Sequence, residues 1–140
     1  MKISILVWFF LTSFLFAQDY DDALRCFLAE DYVCAKNHFS NITNNSEELS
    51  GKIIEYSHYY LFLSALNLYN KDTESLFEVF VVKFPFSEKK DDAVFFMSQY
   101  LFEKKKYKEV VNLLSDLNLY RLNEEKRYFA FFYLGYSCYK

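Results

Sequence analysis

Turn-forming residues are almost missing from this chain. Its 140 residues include two glycines and one proline, too few for the repeated tight turns of a β-sandwich or barrel. Three cysteines are present, but no Cys-x-x-Cys pair, so the spacing of a structural zinc site or a thiol redox motif is lacking. His38 and His58 are the only histidines and fall in different helical segments, where they read as surface or hydrogen-bonded side chains and suggest no metal site. Gly-rich phosphate loops, an HExxH motif and a Ser/His/Asp arrangement are all absent. The sequence therefore reads as non-enzymatic, with no cofactor. An excess of basic charge is lacking as well, with 16 Lys and Arg against 19 Asp and Glu. A formal net charge of −3 leaves no positive footprint for a phosphate backbone, which argues against nucleic acid as a partner.

What the chain has is apolar bulk. Hydrophobic residues make up 53% and aromatic residues 22%, enough for one domain with a real core. Phe and Tyr at this density are expected mainly as buried apolar area. Residues 1–17, MKISILVWFFLTSFLFA, differ from the rest. Lys2 supplies a positive start, Ile3 to Phe16 carry no charge, and Ala17 precedes the polar Gln18-Asp19. This is the layout of a secretory signal peptide cleaved after Ala17, and the run is shorter than the roughly 20 residues of a spanning helix. Leu15 stands where a smaller residue is preferred, so an uncleaved anchor is the alternative.

Beyond the leader, apolar periodicity predicts paired helices. Ala23, Leu24, Phe27 and Leu28 share one face, and Tyr32, Ala35, Phe39 and Ile42 share the next, with Glu30-Asp31 between them as a polar turn. Residues 41–50 read as a loop containing two glycosylation-type triplets, Asn41-Ile42-Thr43 and Asn44-Asn45-Ser46, which matter only in a eukaryotic source. A helix from about Lys52 to Tyr69 is apolar nearly all round, as expected of a helix packed on more than one side. Thr73 to Phe84 is the return helix, ended by Pro85. Ser87 is a candidate cap for a helix over Asp91–Glu103, Lys104–Lys106 form a solvated turn, and Tyr107–Leu117 returns. A last helix opens near Glu124. The acidic pairs Asp91-Asp92 and Glu124-Glu125 suit the first turns of helices and need no acid–base role.

Three of these segments align on small residues, Ala23, Ser64 and Ser98, with Gly135 in the last helix. Nine positions after the first three stand Tyr32, Thr73 and Tyr107. Ala35, Leu76 and Val110 lie three further on, then Phe39, Phe80 and Leu114. Helix–turn–helix units with a period near 34 residues resemble the tetratricopeptide repeat, most closely over Phe84–Leu114, in the variety found in exported cell-envelope proteins. Thr73, in place of an aromatic, and the early Pro85 depart from that pattern. The expected architecture is all-α: a right-handed α-solenoid of antiparallel helix hairpins at about 19–43, 52–84 and 88–117, then a half repeat at 123–140, about three and a half repeats. Because the last repeat lacks a second helix, the chain is expected to be an N-terminal fragment of a longer protein, the alternative being a short protein whose last helix packs against a partner.

The resemblance implies binding of a partner polypeptide in a groove lined by the first helices. The expected strip is His58, Leu61, Ala65 and Tyr69, then Phe95, Gln99 and Phe102, then Phe132, Tyr136 and Tyr139. The implied function is an exported interaction scaffold of the bacterial cell envelope, periplasmic or outer-membrane associated. It touches membrane only indirectly or through an uncleaved leader. Alternatives are the extracytoplasmic sensor region of a signalling protein such as a histidine kinase, or a subunit of an outer-membrane assembly complex. Cys26 and Cys34 could be bridged across the first hairpin in an oxidising compartment. The plainer reading is two small buried thiols, with Cys138 a core residue. N-terminal sequencing of the exported protein should begin at Gln18; a chain still starting at Met1 in the exported fraction contradicts cleavage.

Overall fold

The computed structural model describes residues 18–45 and 51–140. The expected leader, and Ser46 with the rest of the expected loop to residue 50, lie outside the described residues. Those residues form seven α-helices, one 3-10 turn and no strand. The helices are α1 (residues 18–28), α2 (Tyr32–Asn44), α3 (Gly51–Asn67), α4 (Thr73–Lys83), α5 (Lys90–Glu103), α6 (Tyr107–Ser115) and α7 (Glu124–Tyr139). The 3-10 turn, Leu119–Arg121, precedes α7. The chain divides into two compact units, the first ending at Phe80 and the second running from Val81 to Lys140.

In the first unit the core is aromatic. Phe39 and Phe62 are wholly buried. Phe39 takes the edge of Tyr20 at 5.9 Å and stacks on Tyr60 at 5.5 Å. Phe62 meets Phe77 at 5.5 Å, and Phe80 meets Tyr59 at 5.7 Å, so α4 is held to α3 through two ring pairs. Burial raises the Tyr20 phenol to about 12, helped by the neighbouring Tyr60, Tyr56 and Asp21. Lys36 of α2 pairs with Asp72 at 2.8 Å. Both side chains are partly exposed, and such a pair contributes little to stability. Helix α2 runs on to Asn44, through positions read from the sequence as loop.

In the second unit α6 packs against both α5 and α7, and α5 touches α7. Ala93, Phe95, Met97, Ser98, Leu101, Val110 and Leu114 are among its buried residues. Ser87 does not cap α5. Its hydroxyl accepts from the Lys89 N–H two residues on, and the helix begins at Lys90 with Lys89 at the N-cap position, where its side chain makes no capping bond. The hydroxyl is engaged in a local turn before the helix starts. Asn118 and Asn123 do cap, accepting from Tyr120 and Lys126 N–H groups. The first-turn acids of α5 also reach across the unit: Asp91 pairs with Arg121 at 3.0 Å and Asp92 with Lys126 at 2.7 Å. The Lys126 ammonium lies 4.8 Å from the centre of the Phe96 ring.

One turn recurs at three places. Among the described residues, Glu30, Tyr69 and Lys105 are the non-glycine residues with positive φ, at 59°, 51° and 60°. Around each, two backbone bonds close the preceding helix. Glu30 N–H donates to Phe27 O and Asp31 N–H to Cys26 O; Tyr69 and Asn70 donate to Leu66 and Ala65, and Lys105 and Lys106 to Phe102 and Leu101. This is the Schellman closure, usually built on glycine. In the first and third turns an aromatic pair spans the reversal with matching geometry. Phe27 meets Tyr32 at 5.5 Å and Phe102 meets Tyr107 at 5.7 Å, both edge to face. In the second turn Lys71 and Asp72 intervene before α4 starts, so Ser64 aligns when counted back from Thr73 but Phe62 when counted back from Tyr69. Both are wholly buried.

A left-handed backbone at a residue with Cβ costs roughly 1–2 kcal/mol, while glycine loses about 0.5–1 kcal/mol more backbone freedom on folding. Lys105→Gly should therefore raise stability by about 0.5–1 kcal/mol in chemical denaturation. The adjacent Lys104 has φ −78° and its ammonium 4.2 Å from the centre of the Tyr100 ring. Lys104→Gly should lower stability by about 1 kcal/mol. Equal signs for the two variants contradict the assignment of strain to Lys105.

Candidate functional site

Helix α7 is built inside out. Its buried positions are small, Ala130 and Ser137, at 0% and 5% exposure. They are seven residues apart, two helical turns, and so lie on one side of the helix. Small residues let α7 approach its neighbours closely and leave the large side chains for the other faces. Phe129, Phe132, Tyr133 and Tyr136 follow the i, i+3, i+4, i+7 rule of one stripe. Phe102 of α5 sits among them, with ring centres 5.8 Å from Phe132, 4.7 Å from Tyr133 and 5.3 Å from Tyr136. Tyr107 of α6 closes the group, 5.7 Å from both Phe102 and Tyr136. Phe132 stays 52% exposed and Phe129 42%. Tyr139, one turn on from Tyr136, continues the row and is exposed, and Tyr128 and Phe131, farther around the helix, are exposed as well. Exposed aromatic side chains thus occupy most of the outer circumference of α7.

The expected strip lands unevenly. In the first unit His58, Leu61 and Ala65 are buried, and Tyr69 is exposed because it occupies the turn after α3. In the second unit Phe95 is buried against Phe96 and Tyr133, at 5.4 and 6.3 Å. Gln99 and Phe102 are half-buried, with the Gln99 amide 3.4 Å from Glu103 Oε1. Phe132, Tyr136 and Tyr139 are exposed. His58, Leu61 and Phe95 therefore do not line an open surface. The helices that carry them are apolar nearly all round, and the side expected to face a partner is packed. Tyr128, Phe129 and Phe131 were not in the expected strip. Their signal was the small Ala130–Ser137 row, which fixes the inner face of α7.

The positions aligned in the sequence are otherwise mostly buried: Ala23, Ala35, Phe39, Ser98, Val110 and Leu114 are at 1% exposure or less. Tyr32, Leu76 and Tyr107 are half-buried, and Pro85 is exposed in the turn after α4. Gly135 departs from the set. It is exposed, with open space where a Cβ would stand, because the inward row of α7 runs through Ala130 and Ser137.

A second group lies on the first hairpin. Cys26 of α1 and Cys34 of α2 form a disulfide, with Cα atoms 5.7 Å apart, inside the usual range. Both cysteines are half-buried, not the fully buried thiols favoured from the sequence. Cys138 is exposed on α7 rather than in a core. Asp31 holds both bridged residues by their backbones. Its N–H donates to Cys26 O at 2.9 Å, and its Oδ1 accepts from the Cys34 N–H at 3.0 Å. His38 stands one turn after Cys34 and comes up against the pair.

No helix among the described residues is long and apolar enough to cross a membrane. No family model, curated protein or solved structure matches the chain.

Burial raises the Tyr133 phenol above its ordinary 10.0, with the Glu103 carboxylate adding to the effect. The unfolded chain then ionises at this residue first. Its contribution to stability is whole below pH 10 and is lost as pH rises through the folded-state value. In a pH titration followed by NMR, the Tyr133 ring signals should titrate with a midpoint above the ordinary 10.0, and Tyr133→Phe should flatten the alkaline loss of stability. An ordinary midpoint for Tyr133 contradicts its burial in the aromatic group.

Proposed function

We propose that this chain is a protein-interaction scaffold that holds a partner polypeptide against the aromatic face of α7. The observation that carries this reading is the outward aromatic row, with Phe132, Tyr136 and Tyr139 exposed beside the half-buried Phe102 and Tyr107. Aromatic side chains are the commonest anchors of binding energy at protein interfaces. They offer large apolar area with few rotamers to freeze. Phe102 and Tyr107 give the row a packed floor, so little ordering remains for binding to impose. The Lys140 ammonium, 5.5 Å from the Tyr136 ring, supplies a polar rim.

The scaffold belongs to a tetratricopeptide-like solenoid in this reading, supported by the recurrent helix reversal at Glu30, Tyr69 and Lys105. Its place is the cell envelope after export, supported by the leader-like residues 1–17. The partner is a polypeptide that presents an apolar helix or extended segment to the row.

Proteins captured from envelope extracts by the immobilised chain give the test. Phe132→Ser combined with Tyr136→Ser should weaken the captured interactions at least tenfold, since two interfacial anchors together carry more than about 1.4 kcal/mol. Phe86→Ser changes a residue 98% exposed outside the row and should leave capture unchanged. Circular dichroism checks that each variant keeps its helices. Undiminished capture by the folded double variant sinks the reading.

A further inference from the structure

The interaction reading leaves Cys26, Cys34 and His38 unused. One ligand atom from each lies within 4.8 Å of the other two. We infer that, once the disulfide is reduced, these three side chains bind a single thiophilic d10 cation, Zn2+ or Cu+.

The turn between α1 and α2 brings the set together, with the two sulfurs joined in the structure. The reversal at Glu30 brings the end of α1 against the start of α2. Asp31 then ties the Cys26 carbonyl and the Cys34 N–H to one residue, at 2.9 and 3.0 Å. Cys34 and His38 are four apart on α2, the spacing that places two ligands on one helical face. Zinc–sulfur bonds of about 2.3 Å and zinc–nitrogen bonds of about 2.0–2.1 Å put tetrahedral ligand atoms roughly 3.5–3.8 Å apart. All three ligand atoms lie within 4.8 Å of one another, and the two sulfurs, joined in the disulfide, separate on reduction to reach that spacing. Rotation of the two cysteine side chains after reduction is the movement the site requires.

Two thiolates and an imidazole make a soft donor set, suited to Zn2+ or Cu+ and not to Mg2+ or Ca2+. All three residues are half-buried, so an ion can enter from solvent. Water completes four-coordination on Zn2+, whereas the three side chains alone can saturate Cu+.

The disulfide and the metal site exclude each other. A dithiol reductant supplies two electrons and two protons to the Cys26–Cys34 bond, giving two thiols, and is itself oxidised to a disulfide. Binding the ion then releases the two thiol protons. Loading is therefore gated by the redox state of this one pair.

The test uses the whole chain, kept oxidised or reduced with a phosphine, which becomes a phosphine oxide by taking oxygen from water. Zn2+ and Cu+ are titrated separately against a chromophoric chelator. The reduced chain should take up one equivalent of at least one of the two ions, and the oxidised chain none. Oxidised wild type is the main control, because it retires the ligands without changing the sequence. His38→Ala should weaken uptake at least tenfold, Cys34→Ser should abolish it, and Cys138→Ser should leave it unchanged. Uptake of Zn2+ alone, Cu+ alone or both supports the site and identifies its ion. No uptake of either ion by the reduced chain overturns it, as does equal uptake by the oxidised chain or by His38→Ala.

Discussion

Helix reversal without glycine is the constraint on which the rest of this structure depends. Two backbone bonds across a residue in the left-handed region close α1, α3 and α5, and that residue is Glu30, Tyr69 or Lys105. Each carries a Cβ that makes the conformation costly, so packing on either side must hold it there. In the first and third turns the nearest such packing is an aromatic pair at the same offsets, Phe27 with Tyr32 and Phe102 with Tyr107. The pair and the turn support one another. The rings meet because the chain reverses at that point, and their burial offsets part of the backbone strain. Phe102 then stands where the rings of α7 can collect on it.

The helices were legible because apolar periodicity is a strong signal over ten or more residues. The structure forms Gly51–Asn67 where 52–69 was expected, and Thr73–Lys83 stops before Pro85 as its ring requires. The turns were less legible. A left-handed residue that is not glycine has no compositional mark, so Glu30 and Lys105 read only as polar punctuation. The two extra residues in the second turn, Lys71 and Asp72, explain why the small-residue alignment slips there. Ser87 misled for a related reason, since a serine that bonds two residues ahead looks, in sequence, like one that caps.

The candidate sites were legible in part, and the failures have one cause. A strip drawn from helical spacing assumes that each helix has one packed side. Helix α3 is buried at Ser57, His58, Tyr59 and every position from Leu61 to Ala65, so its apolar residues surround it and only Tyr69, in the turn beyond it, remains open. In α7 the assumption fails the other way. Its inner row is Ala130 and Ser137, and the aromatics are left outside. Gly135 matched the expected small position yet faces outward, because the row that decides the register is the buried one.

His38 shows how a turn creates chemistry that spacing alone conceals. Cys34 and His38 sit at a chelating interval along α2, but two ligands are a weak signal. The third, Cys26, joins them only after the chain reverses at Glu30, and no linear motif spans a reversal of that kind. Asp31 ties the two cysteines through backbone bonds as well, accepting from the Cys34 N–H and donating to the Cys26 carbonyl. The same closure in the third hairpin presents Leu101 and Glu109 at the corresponding positions, where no ligand pair can form. One backbone device thus supplies an aromatic floor at Phe102 and a sulfur–imidazole cluster at Cys26, and the side chains placed on it decide which chemistry each hairpin carries.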